Sequence, residues 1–181
     1  MKETIDSKIL WSEASKTGLV LGGVSILYTL ITSMMGGAES GLVAGVLFAL
    51  GTLLWIIKFA ACLFLMRFFM LRLCLQYDGV TSRTVYGYGI RIALLSALVY
   101  SAYILADAIL MNPEAIDQVF EQVSGYMDLN TQAVLEQFRQ NYPTYMFFGN
   151  FIYCFLFGAV LSRLYSRELP PQPNPNNADP Q

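Results

Sequence analysis

The chain of 181 residues is 55% hydrophobic and only 13% charged, with a mean hydropathy of +0.49 and a formal net charge of -2 at pH 7. A soluble domain carries roughly 25% charged residues, so this balance points to one membrane domain, and no nucleic-acid partner is expected. Histidine is absent, which removes imidazole as base, proton shuttle or metal ligand and excludes most hydrolase triads and zinc sites.

Residues 1–17 read as an amphipathic lead-in, with Ile5, Ile9 and Trp11 on its apolar side and Trp11 suited to a membrane interface. Four apolar runs follow, at 18–35, 42–66, 88–111 and 145–163. Each is near the ~20 residues that a helix needs to cross a bilayer core. The expected fold is all-α, a polytopic integral membrane protein with four transmembrane helices. The long first segment, with Glu3, Asp6 and Glu13, and the three later runs argue against a cleaved signal peptide. Gly36 and Gly37 mark a tight turn after the first span.

The second run is too long to be fully immersed, since Leu42 to Leu75 exceeds ~45 Å of helix. Its last part, from Arg67, is expected to emerge with its arginines at headgroup level, closed by Tyr77, Asp78 and Gly79. Tyr86-Gly87-Tyr88-Gly89 lacks the spacing and the preceding strand of a phosphate-binding loop and reads as a flexible approach to the third span.

Beyond the third span, residues 112–143 predict a short extracytoplasmic helical hairpin. Asn112 is placed to cap, Pro113 to open and Glu114 to fill the first turn of its first helix, whose apolar face is Ile116, Val119, Phe120 and Val123. A second helix from near Asn130, with Leu135, Phe138 and Tyr142 on one side, is expected to stop before Pro143. Glu114, Asp117 and Glu121 share a face that reads as solvated, with weak divalent-cation binding as the alternative. The tail, residues 170–181, has no core-forming residues and is expected to be disordered.

Charge sets the expected orientation. Lys2, Lys8, Lys16, Arg67, Arg72, Arg83, Arg91, Arg163 and Arg167 fall before the first span, between the second and third, or after the fourth. The positive-inside rule makes those segments, and both termini, cytoplasmic. The opposite face is acidic, with Glu39, Glu114, Asp117, Glu121, Asp128 and Glu136 against Arg139 alone.

Lys58 lies inside the second span, and an intramembrane charge is a functional candidate by default. Its depth favours a stem that snorkels to the inner interface, with a buried partner as the alternative. An ion pair with Asp107 is not expected, because that acid falls near the outer surface. Asp107, Asn150, Tyr103, Tyr28 and Thr32 come to comparable depths and form a candidate polar cluster in the outer leaflet, set against local hydrogen bonding of each. Gly18 with Gly22, Gly41 with Gly45, and Gly158 with Ser162 have the spacing of close helix packing, within one bundle or in a homo-oligomer. Cys62, Cys74 and Cys154 form no CxxC pattern and read as small hydrophobes.

Several strings together resemble a family of small bacterial inner-membrane proteins known as the domain of unknown function DUF4199. They are Trp11 to Leu19, Trp55 to Phe59, Leu65 to Met70, Ala93 to Ala102 and Asn150 to Phe155. The resemblance implies four spans, a helical extracytoplasmic segment and a bacterial inner (cytoplasmic) membrane. It implies no activity and no site residues.

The expected role is a structural, regulatory or accessory membrane component in contact with the lipid bilayer, whose acidic hairpin meets a membrane or periplasmic protein partner. The alternative is a small transporter or ion-conducting homo-oligomer using the Asp107 and Asn150 region, with Lys58 as an inner gate. No enzyme activity, cofactor or metal is expected. The middle of each span is apolar apart from Ser96, Ser101 and Tyr153, which favours the first reading.

Overall fold

A computed structural model describes residues 3–4, 6–35, 42–111, 120–121 and 129–169. Short strand β1 (Glu3–Thr4) is followed by helices α1 (Ser7–Met34) and α2 (Leu42–Gln76), strand β2 (Tyr77–Asp78), helix α3 (Ser82–Ala106) and helix α4 (Leu129–Glu168). A π-helical turn, Asp107–Met111, continues α3. All four helices are long and apolar enough to cross a membrane. Helices suit that setting because every backbone donor finds its acceptor within the segment. The fold is an all-helical, four-span membrane protein.

The amphipathic lead-in and first span are one helix. Asp6 caps α1, its carboxylate accepting from the Ser7 amide at 2.6 Å. Leu10, Ala14, Thr17 and Leu21 then recur on one buried face, the three- and four-residue spacing of a helix stripe. Trp11, on the exposed side, lies 5.2 Å under the Arg91 guanidinium. β1 pairs in parallel with β2, Glu3 opposite Tyr77 and Thr4 opposite Asp78, so the start of the chain is tied to the turn between α2 and α3. Gly79, at φ +73°, makes that turn in the left-handed region that side chains disfavour.

Contacts between helices fix their directions. Thr17 meets Tyr88 and Thr29 meets Tyr100 at hydroxyl distances of 3.0 and 3.4 Å. Both pairs are separated by 71 residues, so α1 and α3 run parallel. Gly89 against Ser162 and Gly158 against Ala93 show α3 and α4 antiparallel. Helix α2 runs with α4, joined by Phe59 on Phe157 at 5.1 Å and by the Tyr165 hydroxyl donating to Leu63 O at 3.4 Å. The alternation places the start of α1, the end of α2, the start of α3 and the end of α4 at one end of the bundle, here the β end.

The core lies at that end. Leu10 and Ala14 of α1, Met66, Met70 and Leu73 of α2, Tyr88 and Ile92 of α3, and Leu169 form one buried cluster. Packing there is close because small residues face helices. A Cβ on Gly18 would lie 2.7 Å from Leu95 Cβ, one on Gly22 2.8 Å from Val99 Cγ1, and one on Gly158 2.6 Å from Ala93 Cβ. Gly89, expected in a flexible approach to the third span, lies instead inside α3 beside buried Tyr88 and has Ser162 Oγ 2.6 Å from where a Cβ would stand.

Gly45 has nothing within 4 Å among the described residues, so it packs against none of the bundle's described helices. The reason is the placement of α2, whose most apolar 18-residue stretch has none of its residues buried. Val43, Val46, Phe48 and Leu53 point outward there, as a lipid-facing surface does. Gly41 and the Gly36-Gly37 turn lie outside the described residues.

Pro143 brings a correction, because α4 runs through it. Proline removes one donor, and in membrane helices neighbouring groups absorb that loss. Here a ladder of rings crosses the site: Phe138 stacks on Tyr145 at 5.2 Å and meets Tyr142 at 6.0 Å, while buried Phe120 meets Tyr142 at 5.5 Å. Phe120 and Glu121 are helical. The expected helix start at Asn112, Pro113 and Glu114, Asp117 of the acidic face, and the expected disordered tail at 170–181 lie outside the described residues.

Candidate functional site

Above the core, toward the end where α1 stops and α2 starts, side chains of all four helices surround a cavity of about 120 Å³. Its polar lining comes from Ser25 of α1, Lys58 and Cys62 of α2, Ser96 and Tyr100 of α3, and Tyr153 and Cys154 of α4. The floor is apolar: Met66 and Ile92, 2% and 0% exposed, close it toward the β end. Trp55 and Tyr153, 50% and 65% exposed, mark its lateral mouth between α2 and α4.

Lys58 dominates the electrostatics. With sixteen residues of α2 before it and eighteen after, it stands near the helix middle. Its Nζ lies 4.9 Å from the ring centre of Tyr28 on α1 and 4.9 Å from that of Tyr100 on α3. The ammonium therefore does not snorkel toward the β end. Side chains lean toward the N-terminus of their helix, and for α2 that is the opposite direction. Thr29 holds one wall in place, its hydroxyl 3.4 Å from the Tyr100 oxygen.

No carboxylate among the described residues lies within 4 Å of Lys58. A ring face within ~6 Å contributes about 0.5–2 kcal/mol, so two supply about 1–4 kcal/mol. Taking an ammonium out of water costs several kcal/mol. The two effects are of comparable size. The cavity compares with an engineered apolar cavity of ~150 Å³ that takes up benzene.

The other sequence-derived candidates are placed differently. Tyr28 joins Lys58. Thr32 donates to the carbonyls of Tyr28 and Thr29 on its own helix, and Asn150 donates to Met146 O on its own. Tyr103 lies one turn before Asp107, which begins the π-helical turn. Asp107 is seven residues beyond Tyr100, ~10 Å of helix rise from the Lys58 level. Tyr100, Ser25, Cys62 and Cys154 were not singled out as site residues from sequence. One signal was available: Tyr28 and Tyr100 are the tyrosines nearest the middle of the first and third apolar runs.

Among the described residues no group of three His, Cys, Asp or Glu side chains is arranged to hold a metal ion. The fold and cavity define a class, a polytopic helical membrane protein with an intramembrane cationic pocket. Comparison with protein-family models, with curated proteins and with solved structures gives no match to this chain.

Proposed function

We propose that this protein is a non-enzymatic component of a bacterial inner membrane that holds a small anionic amphiphile in the Lys58 cavity and acts in a regulatory or accessory role. The observation carrying this reading is the Lys58 ammonium between two tyrosine faces with no carboxylate within 4 Å among the described residues. A carboxylate-bearing ligand would give that charge its counterion and bury its apolar part against Phe59 and Phe157. The mouth beside Trp55 and Tyr153 would admit it sideways from the lipid. The positive-inside distribution of arginines supports cytoplasmic termini, with the acidic segment after α3 on the far side as the surface for a protein partner.

A small transporter is the second reading, favoured by polar Ser25, Ser96 and Lys58 sharing one cavity. The apolar floor at Met66 and Ile92 argues for holding over passage. The two readings separate in one experiment with radiolabelled hexanoate, comparing equilibrium binding in nanodiscs with uptake into proteoliposomes. Saturable binding near one per chain without uptake is expected. Protein-dependent uptake would replace the accessory reading with transport, and neither binding nor uptake would remove both.

A further inference from the structure

At the β end, a second concavity lies between the start of α3 and the end of α4, with a volume of about 430 Å³. It is lined by Ser82, Arg83 and Tyr86 of α3 and by Arg163, Ser166 and Arg167 of α4. Three arginines thus line one groove from two helices. None of them is within 4 Å of a carboxylate among the described residues, where the ion pairs are Lys16 with Glu13 and Arg139 with Glu136. Arg163 is braced on one side by the Tyr86 ring, 5.6 Å away.

The backbone adds to this charge. Thr81 caps α3, its hydroxyl accepting from the Thr84 amide at 3.2 Å, and the first helical bond runs from the Val85 amide to Thr81 O. The amides of Ser82 and Arg83 come before that bond, so the helix itself gives them no acceptor. Helix starts of this kind favour anions, and here the start faces the same groove as the arginines. Ser82 and Glu168 are the ends of two helices long and apolar enough to cross a membrane, and the ends of such helices are where lipid headgroups are met.

We infer that this groove binds a phosphate group, held by Arg83, Arg163 and Arg167 and supplied by an anionic phospholipid headgroup. Guanidinium is the side chain whose planar fork matches phosphate oxygens two at a time. Basic pockets between membrane helices recognise anionic headgroups in the same way. Scattered basic residues at a membrane surface attract anionic lipid without fixing it. A shared groove, lack of acidic partners and the unclaimed helix start distinguish these three.

The test uses the full chain in detergent, titrated with dioleoylphosphatidylglycerol, dioleoylphosphatidylcholine or inorganic phosphate, with bound species counted by native mass spectrometry. The wild type should retain phosphatidylglycerol in preference to phosphatidylcholine. Arg83→Gln and Arg167→Gln should each weaken that retention about tenfold or more, the size of one charge-assisted contact. Lys8→Gln, at an exposed cation of the same end, should leave it unchanged. Arg163→Lys keeps the charge and loses the fork, and should still weaken retention several-fold. Competition by inorganic phosphate that depends on the same arginines would support the phosphate site and move its source from lipid to water. Equal losses in Lys8→Gln and the arginine variants, or no loss in any of them with helicity intact, would overturn the assignment.

Discussion

The Thr17 hydroxyl lies 3.0 Å from the phenol oxygen of Tyr88 across the α1–α3 interface, inside the buried core. Thr17 is 2% exposed and Tyr88 2% exposed, so neither has water as an alternative partner. Bonds between membrane helices contribute about 0.6 kcal/mol on average and up to ~1.7 kcal/mol. Tyr88→Phe is therefore expected to lower thermal stability in nanodiscs by an amount in that range. A double-mutant cycle with Thr17→Val should return a coupling of the same size. Strict additivity of the two substitutions would show that the hydroxyls contribute nothing to each other.

Glycine positions separate into two kinds that the sequence does not distinguish. Gly158→Ala drives a methyl to 2.6 Å from Ala93 Cβ and should reduce the folded fraction, while Ala93→Gly in the same chain should recover much of it. Gly45→Ala meets nothing within 4 Å among the described residues, and should be neutral or stabilising by about 0.5–1 kcal/mol through lower unfolded-chain entropy. The readout is the thermal midpoint of each variant in detergent. Loss of stability in Gly45→Ala comparable to Gly158→Ala would place α2 against a second surface, such as another copy.

Apolar length and charge made the four spans legible, because the bilayer sets helix length regardless of packing details. Packing was less legible. Gly18, Gly22, Gly41 and Gly45 carry the same small-residue spacing in sequence. Of the described three, only Gly18 and Gly22 face a neighbouring helix, since that depends on which side of its helix each residue occupies. Lys58 shows the same limit. Its depth along α2 was readable, while the direction of its ammonium follows from the run of α2 relative to α1 and α3. Pro143 misled because soluble-helix rules weigh the lost donor and not the setting of a membrane helix, here with the rings of Phe138, Tyr142 and Tyr145 in contact across the proline.

Pro143 provides a further prediction. Pro143→Ala restores a donor for the Arg139 carbonyl, so hydrogen exchange across residues 139–146 should slow, with stability rising by up to about 3 kcal/mol. Phe138→Ala should act in the opposite direction, quickening exchange on both sides of the proline. Unchanged exchange in both variants would mean that the ring ladder does not sustain the helix there.

Antiparallel alternation of the four helices puts the start of α1 and the end of α4 at one end of the bundle. Topology reporters fused to either terminus should therefore give the same sidedness, and the arginine distribution predicts the cytoplasmic result for both. Opposite results at the two termini would contradict a four-span bundle.

Binding at Lys58 is tested most directly by titrating the full chain in nanodiscs with hexanoate and with hexylamine, alongside Lys58→Gln, and measuring heat by calorimetry. Saturable binding of hexanoate, no binding of hexylamine, and a tenfold to hundredfold weaker Kd for hexanoate in a folded Lys58→Gln protein are expected, the size of about one charge-assisted contact. Equal binding of the two probes, or a Kd for hexanoate unchanged by Lys58→Gln, would show that the ammonium between Tyr28 and Tyr100 is a structural strut and not an anion site.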